Sequence, residues 1–205
     1  MKTRKNDIAF LKDARELLIC IDMVNGFVKE GALAAPSIMR IVPRQLELLD
    51  DALESKDTGI VFIRDSHPEN AIEFKTYGPH CIEGTKETEV IDELKYYENY
   101  ALEYLKNSTN LMYAPNFMEE LLKFNNLEKL RLMGCLSEVC VENGAIGLRT
   151  FLDQHNKDTE VCVHADAIDT FDAPGHNADE VTELAIQRMQ ANGIKVLRRK
   201  PNENI

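Results

Sequence analysis

Five short, mostly apolar runs punctuate the chain, at residues 17–21, 59–63, 129–133, 160–164 and 194–197. Each is bounded by polar residues and is too short for a helix, the pattern of strands buried on both faces. Between them apolar residues recur at three-to-four spacing, which predicts amphipathic helices. One carries Ile38, Ile41, Val42, Leu46, Leu49 and Leu53, a second Val141, Ala145, Leu148 and Leu152, a third Val181, Leu184, Ala185 and Met189. Strands alternating with helices predict an α/β fold, a mainly parallel sheet sandwiched by helices in three Rossmann-like layers. The stretch from Ser66 to Tyr113 breaks the rhythm with Pro68, Gly78, Pro79, Gly84 and a Tyr-rich segment. A third strand is expected there at about residues 101–106; the remainder reads as an irregular insertion, and such insertions in compact domains tend to carry function.

Composition narrows the classes. No low-complexity segment or internal repeat interrupts residues 15–200, and 44% of the 205 residues are hydrophobic. One domain over residues 1–205 is expected, with a core at about 15–198 and a loose tail at 199–205. Against 35 Asp and Glu stand 24 Lys and Arg, a formal charge of −11 that repels nucleic acid and anionic membranes. No apolar run approaches the roughly 20 residues that span a bilayer, and the mixed-charge N-terminus has no signal-peptide core, so a cytoplasmic protein is expected. The cysteines at 20, 81, 135, 140 and 162 are odd in number and form no CxxC pair. They fit neither a disulfide framework nor a four-cysteine zinc site.

In open parallel sheets ligands bind beyond the carboxyl ends of the strands. There the sequence puts Asp22, Asp65, Lys106 and the segment 134–140. Cys140 opens the helix that runs through Leu152, where terminal amides favour a thiolate and can hold an oxyanion. Singly, each residue has a plainer reading: Cys140 as a small buried apolar side chain, Asp22 as the cap of a turn with Asn25 and Gly26, Lys106 as a solvated cation. On one rim together, a thiol, a carboxylate to take its proton and a lysine to keep that carboxylate ionised form a nucleophilic set. A second cluster is Asp65, His67 and His80, with Glu73 between. Asp and His at i and i+2 of an extended chain point the same way, and mixed N and O donors suit zinc, iron(II) or manganese(II). The plainer reading is a surface loop with two histidines. His155, His164 and His176 lie outside this cluster, and His176, in an Ala-Pro-Gly-His turn, reads as structural.

With these motifs in order, the chain resembles the isochorismatase-like cysteine hydrolases, and within them the nicotinamidase (pyrazinamidase) branch. The resemblance runs from about Leu17 to Leu197. It rests on residues 22–27 (DMVNGF) with 31–33 (GAL), 65–70 (DSHPEN), 78–85 (GPHCIEGT), Lys106 with Asn116 and Phe117, and 134–141 (GCLSEVCV). It implies a catalytic triad of Asp22, Lys106 and Cys140, and a divalent metal, zinc foremost, on Asp65, His67 and His80 with Glu73 as an additional carboxylate. It implies hydrolysis of nicotinamide to nicotinate and ammonia through a thioester, a step of NAD salvage. It further implies a cis Cys135–Leu136 peptide, an oxyanion hole from the amides of Leu136 and Cys140, and a metal that holds the ring nitrogen of the substrate. Phe27 and Tyr77 would form the aromatic walls of the substrate pocket, and a homo-oligomer is frequent in such proteins. The chain departs from many relatives at Ala71, where they carry His, and at Tyr77-Gly78, where they carry Trp or Phe then Pro. Two other readings stay open: a cysteine hydrolase for another small amide, ureide or carbamoyl compound, and a non-catalytic binding protein of the same fold.

Overall fold

The computed structural model describes residues 13–199; the mixed-charge N-terminus before residue 13 and the tail from 200 onward lie outside the described residues. Six parallel strands form one sheet: β1 (Glu16–Ile21), β2 (Thr58–Asp65), β3 (Ala101–Lys106), β4 (Lys129–Cys135), β5 (Glu160–Asp169) and β6 (Lys195–Leu197). Their order is β3-β2-β1-β4-β5-β6. The winding reverses between β1 and β4, which leaves a crevice at the carboxyl ends of these two strands. Asp22 follows the one and the Cys140 segment the other.

The period of two along β1 divides the core. Leu17, Ile19 and Ile21 join Leu130, Leu132, Val161 and Val163 on one side, while Leu18 and Cys20 join Ile60 and Phe62 on the other. Helix α1 (Val42–Glu54) covers the second side with Val42, Leu48, Leu49 and Ala52; α2 (Glu142–Gln154) and α3 (Ala178–Ala191) cover the first with Ala145, Leu148, Leu152, Ala185, Ile186 and Met189. Each such aliphatic side chain contributes about 1.5–3 kcal/mol on burial.

Three expectations are corrected. Leu184 is 51% exposed, because the buried face of α3 runs through Thr182, Ala185, Ile186 and Met189. Strand β5 continues to Asp169, five residues beyond its apolar run, after a register shift opposite Leu132 and Gly134. Leu46 and Leu53 are only partly buried. The third strand lies where expected, at the sheet edge beside β2.

Gly134 sets how closely β4 approaches β1. Its φ is +130°, and a Cβ there would fall 2.0 Å from the Ile21 carbonyl oxygen. Only glycine satisfies both conditions. Gly134→Ala is expected to destabilise the fold by about 3 kcal/mol or more, a melting temperature lower by roughly 10 °C. A thermal melt within 2 °C of wild type, roughly the scatter of such a measurement, would refute the close approach.

Candidate active site

The parallel register brings the strand ends together. Asp65 and Lys106 end β2 and β3 directly opposite one another. Asp22, one residue past β1, has φ +54°, a conformation non-glycine residues avoid unless their surroundings enforce it. Its amide donates to the Ile63 carbonyl at 2.9 Å, and its Oδ1 accepts from the Asp65 amide at 2.8 Å. Lys106 Nζ lies 2.8 Å from Asp22 Oδ2, 2.5 Å from Asp65 Oδ1 and 3.7 Å from Cys140 Sγ. All four residues are buried, Asp22 fully. One ammonium thus touches both carboxylates and the thiol, and donor atoms of Asp22, Asp65 and Cys140 all lie within 4.8 Å of one another.

Burial and charge set the protonation states. Burial, and then the charge of Asp65, push the Asp22 carboxyl up to about 7 against the pull of Lys106. Burial also acts to raise Asp65, but Lys106 and His67 hold it below the usual carboxylate range. Lys106, despite burial, is raised well above its ordinary value by Asp22 and Asp65, so it stays an ammonium. Burial drives the Cys140 thiol well above its ordinary value, with Lys106 opposing. This runs against the expectation of a thiolate: burial favours the protonated thiol despite the helix end. The local backbone differs too. Cys140 sits in a π-helical turn, Ser137–Val141, that leads into α2.

Asp65 shares its carboxylate with the second cluster. Its Oδ2 is 3.5 Å from His67 Nε2 and 3.9 Å from His80 Nε2, and His80 Nε2 is 3.9 Å from Glu73 Oε1. One donor atom from each of the four residues lies within 4.8 Å of all the others. The outer nitrogens are engaged: His80 Nδ1 donates to the Gly78 carbonyl at 2.9 Å, and His67 Nδ1 meets Asn107 Oδ1 at 2.7 Å. Those bonds turn both Nε2 atoms inward, and His67 Nε2 is buried with no hydrogen-bond partner. An orphaned imidazole nitrogen among carboxylate oxygens fits a divalent cation, and the hydrogen bonds behind it are those that orient metal-bound histidines.

Aromatic rings enclose this cluster. Phe27, Phe74 and Tyr77 have ring centroids 5.5, 5.6 and 6.5 Å from that of His80. Phe27 is buried beneath it, and Tyr77 stands 43% exposed at the surface. The Cys135–Leu136 peptide is cis, and the amides of Leu136 and Cys140 lie at the start and within the π-helical turn. Two neighbours escaped the sequence reading, Asn107 and Phe74. Both adjoin residues it singled out, yet an Asn after a strand and a Phe in an insertion carry no distinguishing pattern.

Residues 16–200 match the isochorismatase domain. Nicotinamidase 1 of Arabidopsis thaliana is 26% identical over 189 residues, covering 83% of this chain and 75% of that protein. Among solved structures, nicotinamidase from Bacillus subtilis superposes with a TM-score of 0.72 at 25% identity, covering 89% of this chain and 98% of the other. The pyrazinamidase of Pyrococcus horikoshii, solved in complex with zinc, does so with a TM-score of 0.69 at 26% identity, covering 90% and 99%.

The donor set predicts one divalent ion per chain by equilibrium dialysis and elemental analysis. His67→Ala should abolish binding, and Asn107→Ala should weaken it by about 10- to 100-fold through loss of ring orientation. Wild-type affinity in Asn107→Ala would show that the Asn107 contact does not orient His67.

Proposed function

The chain belongs to the isochorismatase family, and we propose that within it the protein is a metal-dependent cysteine amidase that hydrolyses nicotinamide to nicotinate and ammonia. The observation that carries this reading is the single buried array in which Lys106 reaches Asp22, Asp65 and Cys140 while Asp65 also faces two inward-turned histidines.

In this reading Asp22 removes the Cys140 proton as sulfur attacks the carboxamide carbon. Lys106, 3.7 Å from the sulfur, offsets the charge that develops on it. The amides of Leu136 and Cys140 receive the carbonyl oxygen as it becomes anionic. The proton held on Asp22 passes to the departing nitrogen, ammonia leaves, and the acyl group remains on sulfur as a thioester. Asp22, ionised again, takes a proton from water, and hydroxide addition releases the carboxylic acid and the thiol. Asp65, His67, His80 and Glu73 would hold the metal, zinc by preference, which supplies a Lewis-acidic anchor for a ring nitrogen. The side chains about it do the rest of the positioning: Phe27 and Phe74 exclude water and Tyr77 walls the open side. Fixing ring and carboxamide against the thiol is worth several kcal/mol of the barrier.

An Asp22 carboxyl at about 7 sets the pH dependence. The base works only when ionised, so kcat/KM should fall as pH drops through about 7 or just below. Lys106→Met removes the charge that pulls this ionisation down and should shift the limb upward; a limb that stays in place would separate Lys106 from the base. Ammonia release from nicotinamide by the metal-loaded protein is the direct assay. Cys140→Ala is expected to lose about 10³-fold or more, and removal of the metal, verified by elemental analysis, to raise KM sharply. Loaded protein that leaves nicotinamide and pyrazinamide untouched while turning over another amide, ureide or carbamoyl compound would move the assignment to that substrate. Absence of any turnover, with an inert Cys140 thiol, would leave a binding protein.

A further inference from the structure

The two inward-turned histidines come from different segments, and Cys81 is the residue that joins them. Its amide belongs to the peptide bond that follows His80, and its carbonyl accepts from the His67 amide at 2.9 Å; the Glu83 amide in turn donates to the His67 carbonyl at 2.8 Å. Both histidine backbones are thus referred to one residue. Cys81 is fully buried and has φ +42°, a conformation that non-glycine residues avoid unless their surroundings enforce it.

Glu87 supplies that enforcement. Its Oε2 accepts from the Cys81 amide at 2.8 Å, a donor that burial would otherwise leave unsatisfied. Two glycines make room for the reach. A Cβ on Gly31 would fall 2.8 Å from both Cδ and Oε1 of Glu87, and one on Gly26 would fall 3.1 Å from Glu87 Cβ and 2.6 Å from Cys81 Sγ. A side chain at either position would displace Glu87 or Cys81. Asn25 fastens the same region: its amide donates to the Glu89 carbonyl at 2.9 Å and its Nδ2 to the Lys86 carbonyl at 3.0 Å. Glu87 therefore enters from a single 3₁₀ turn, Lys86–Thr88, held against the turn Asn25–Val28 that carries Phe27. These contacts act on the histidine nitrogens through the backbone of Cys81.

We propose that Glu87 is a positioning residue for the metal-binding histidines: by holding the Cys81 amide it fixes the backbone from which the Nε2 atoms of His67 and His80 converge. The proposal rests on the reading of Asp65, His67, Glu73 and His80 as metal ligands. Its test compares wild type, Glu87→Ala, Glu87→Asp and Glu87→Gln for zinc affinity by equilibrium dialysis and, at saturating cobalt(II), for the visible absorption bands of the bound ion, with the folding of each variant checked by circular dichroism. The side-chain oxygen of Glu87→Gln can still accept from the Cys81 amide at the same reach, whereas Glu87→Asp keeps the charge but is one methylene too short. Glu87→Ala and Glu87→Asp are each expected to lose about 10- to 100-fold in zinc affinity and to shift the cobalt bands, and Glu87→Gln to keep both close to wild type. Glu87→Asp and Glu87→Gln carry the decision should Glu87→Ala fail to fold. Equal losses in Glu87→Gln and Glu87→Asp would overturn the tie, and so would weaker zinc binding with unchanged cobalt bands, the mark of a merely structural brace. A wild type that binds neither ion would overturn the metal reading and the proposal with it; an ion held equally by every variant would overturn the positioning role alone.

Discussion

The Lys106 ammonium is enclosed by protein, and the rest of the site follows from how its charge is balanced. Taking an ammonium out of water costs several kcal/mol even after relaxation, recovered only by close and well-directed partners. Two carboxylates supply them at 2.8 and 2.5 Å. Such a cluster adds little net stability compared with apolar packing, but it is exacting about geometry: neither carboxylate can withdraw without leaving a charge stranded. That requirement fixes the ends of β1, β2 and β3 relative to one another. It also explains why Asp22 is held in a backbone conformation that most residues avoid.

Charge within the cluster does not cancel. Asp22 and Asp65, with Glu73 close to His80, face one lysine. Burial makes this surplus of negative charge costly, and a divalent ion held by Asp65, Glu73 and the two histidines would offset it. Under the proposed function, ring binding and carboxamide chemistry would fall to neighbouring but distinct groups, beside the apolar rings of Phe27 and Phe74.

Much of this was legible in the sequence, for a physical reason. In a parallel sheet every strand delivers its carboxyl end to the same rim, so Asp22, Asp65, Lys106 and the Cys140 segment are neighbours by topology although 118 positions separate the first from the last. What stayed hidden depends on three-dimensional surroundings. The protonation of Cys140 is decided by burial, which outweighs the helix-end effect that sequence position suggested. The π-helical turn, the extra length of β5 and the rotation of α3 that exposes Leu184 arise from packing and register, not from periodicity. Asn107 became meaningful only once its amide oxygen was found 2.7 Å from His67.

Asp65 belongs to both halves of the site, with Oδ1 on the lysine and Oδ2 toward the histidines, and its amide bonded to Asp22. A cation held by Asp65 and the histidines would cancel part of the repulsion that Asp65 exerts on Asp22, and so would favour the ionised carboxylate. Thermodynamic reciprocity then requires the ionised base to hold the cation more tightly by the same factor. With a cation held there, its occupancy and the ionisation of Asp22 would be one linked equilibrium, and a falling pH would weaken both halves of the site in concert.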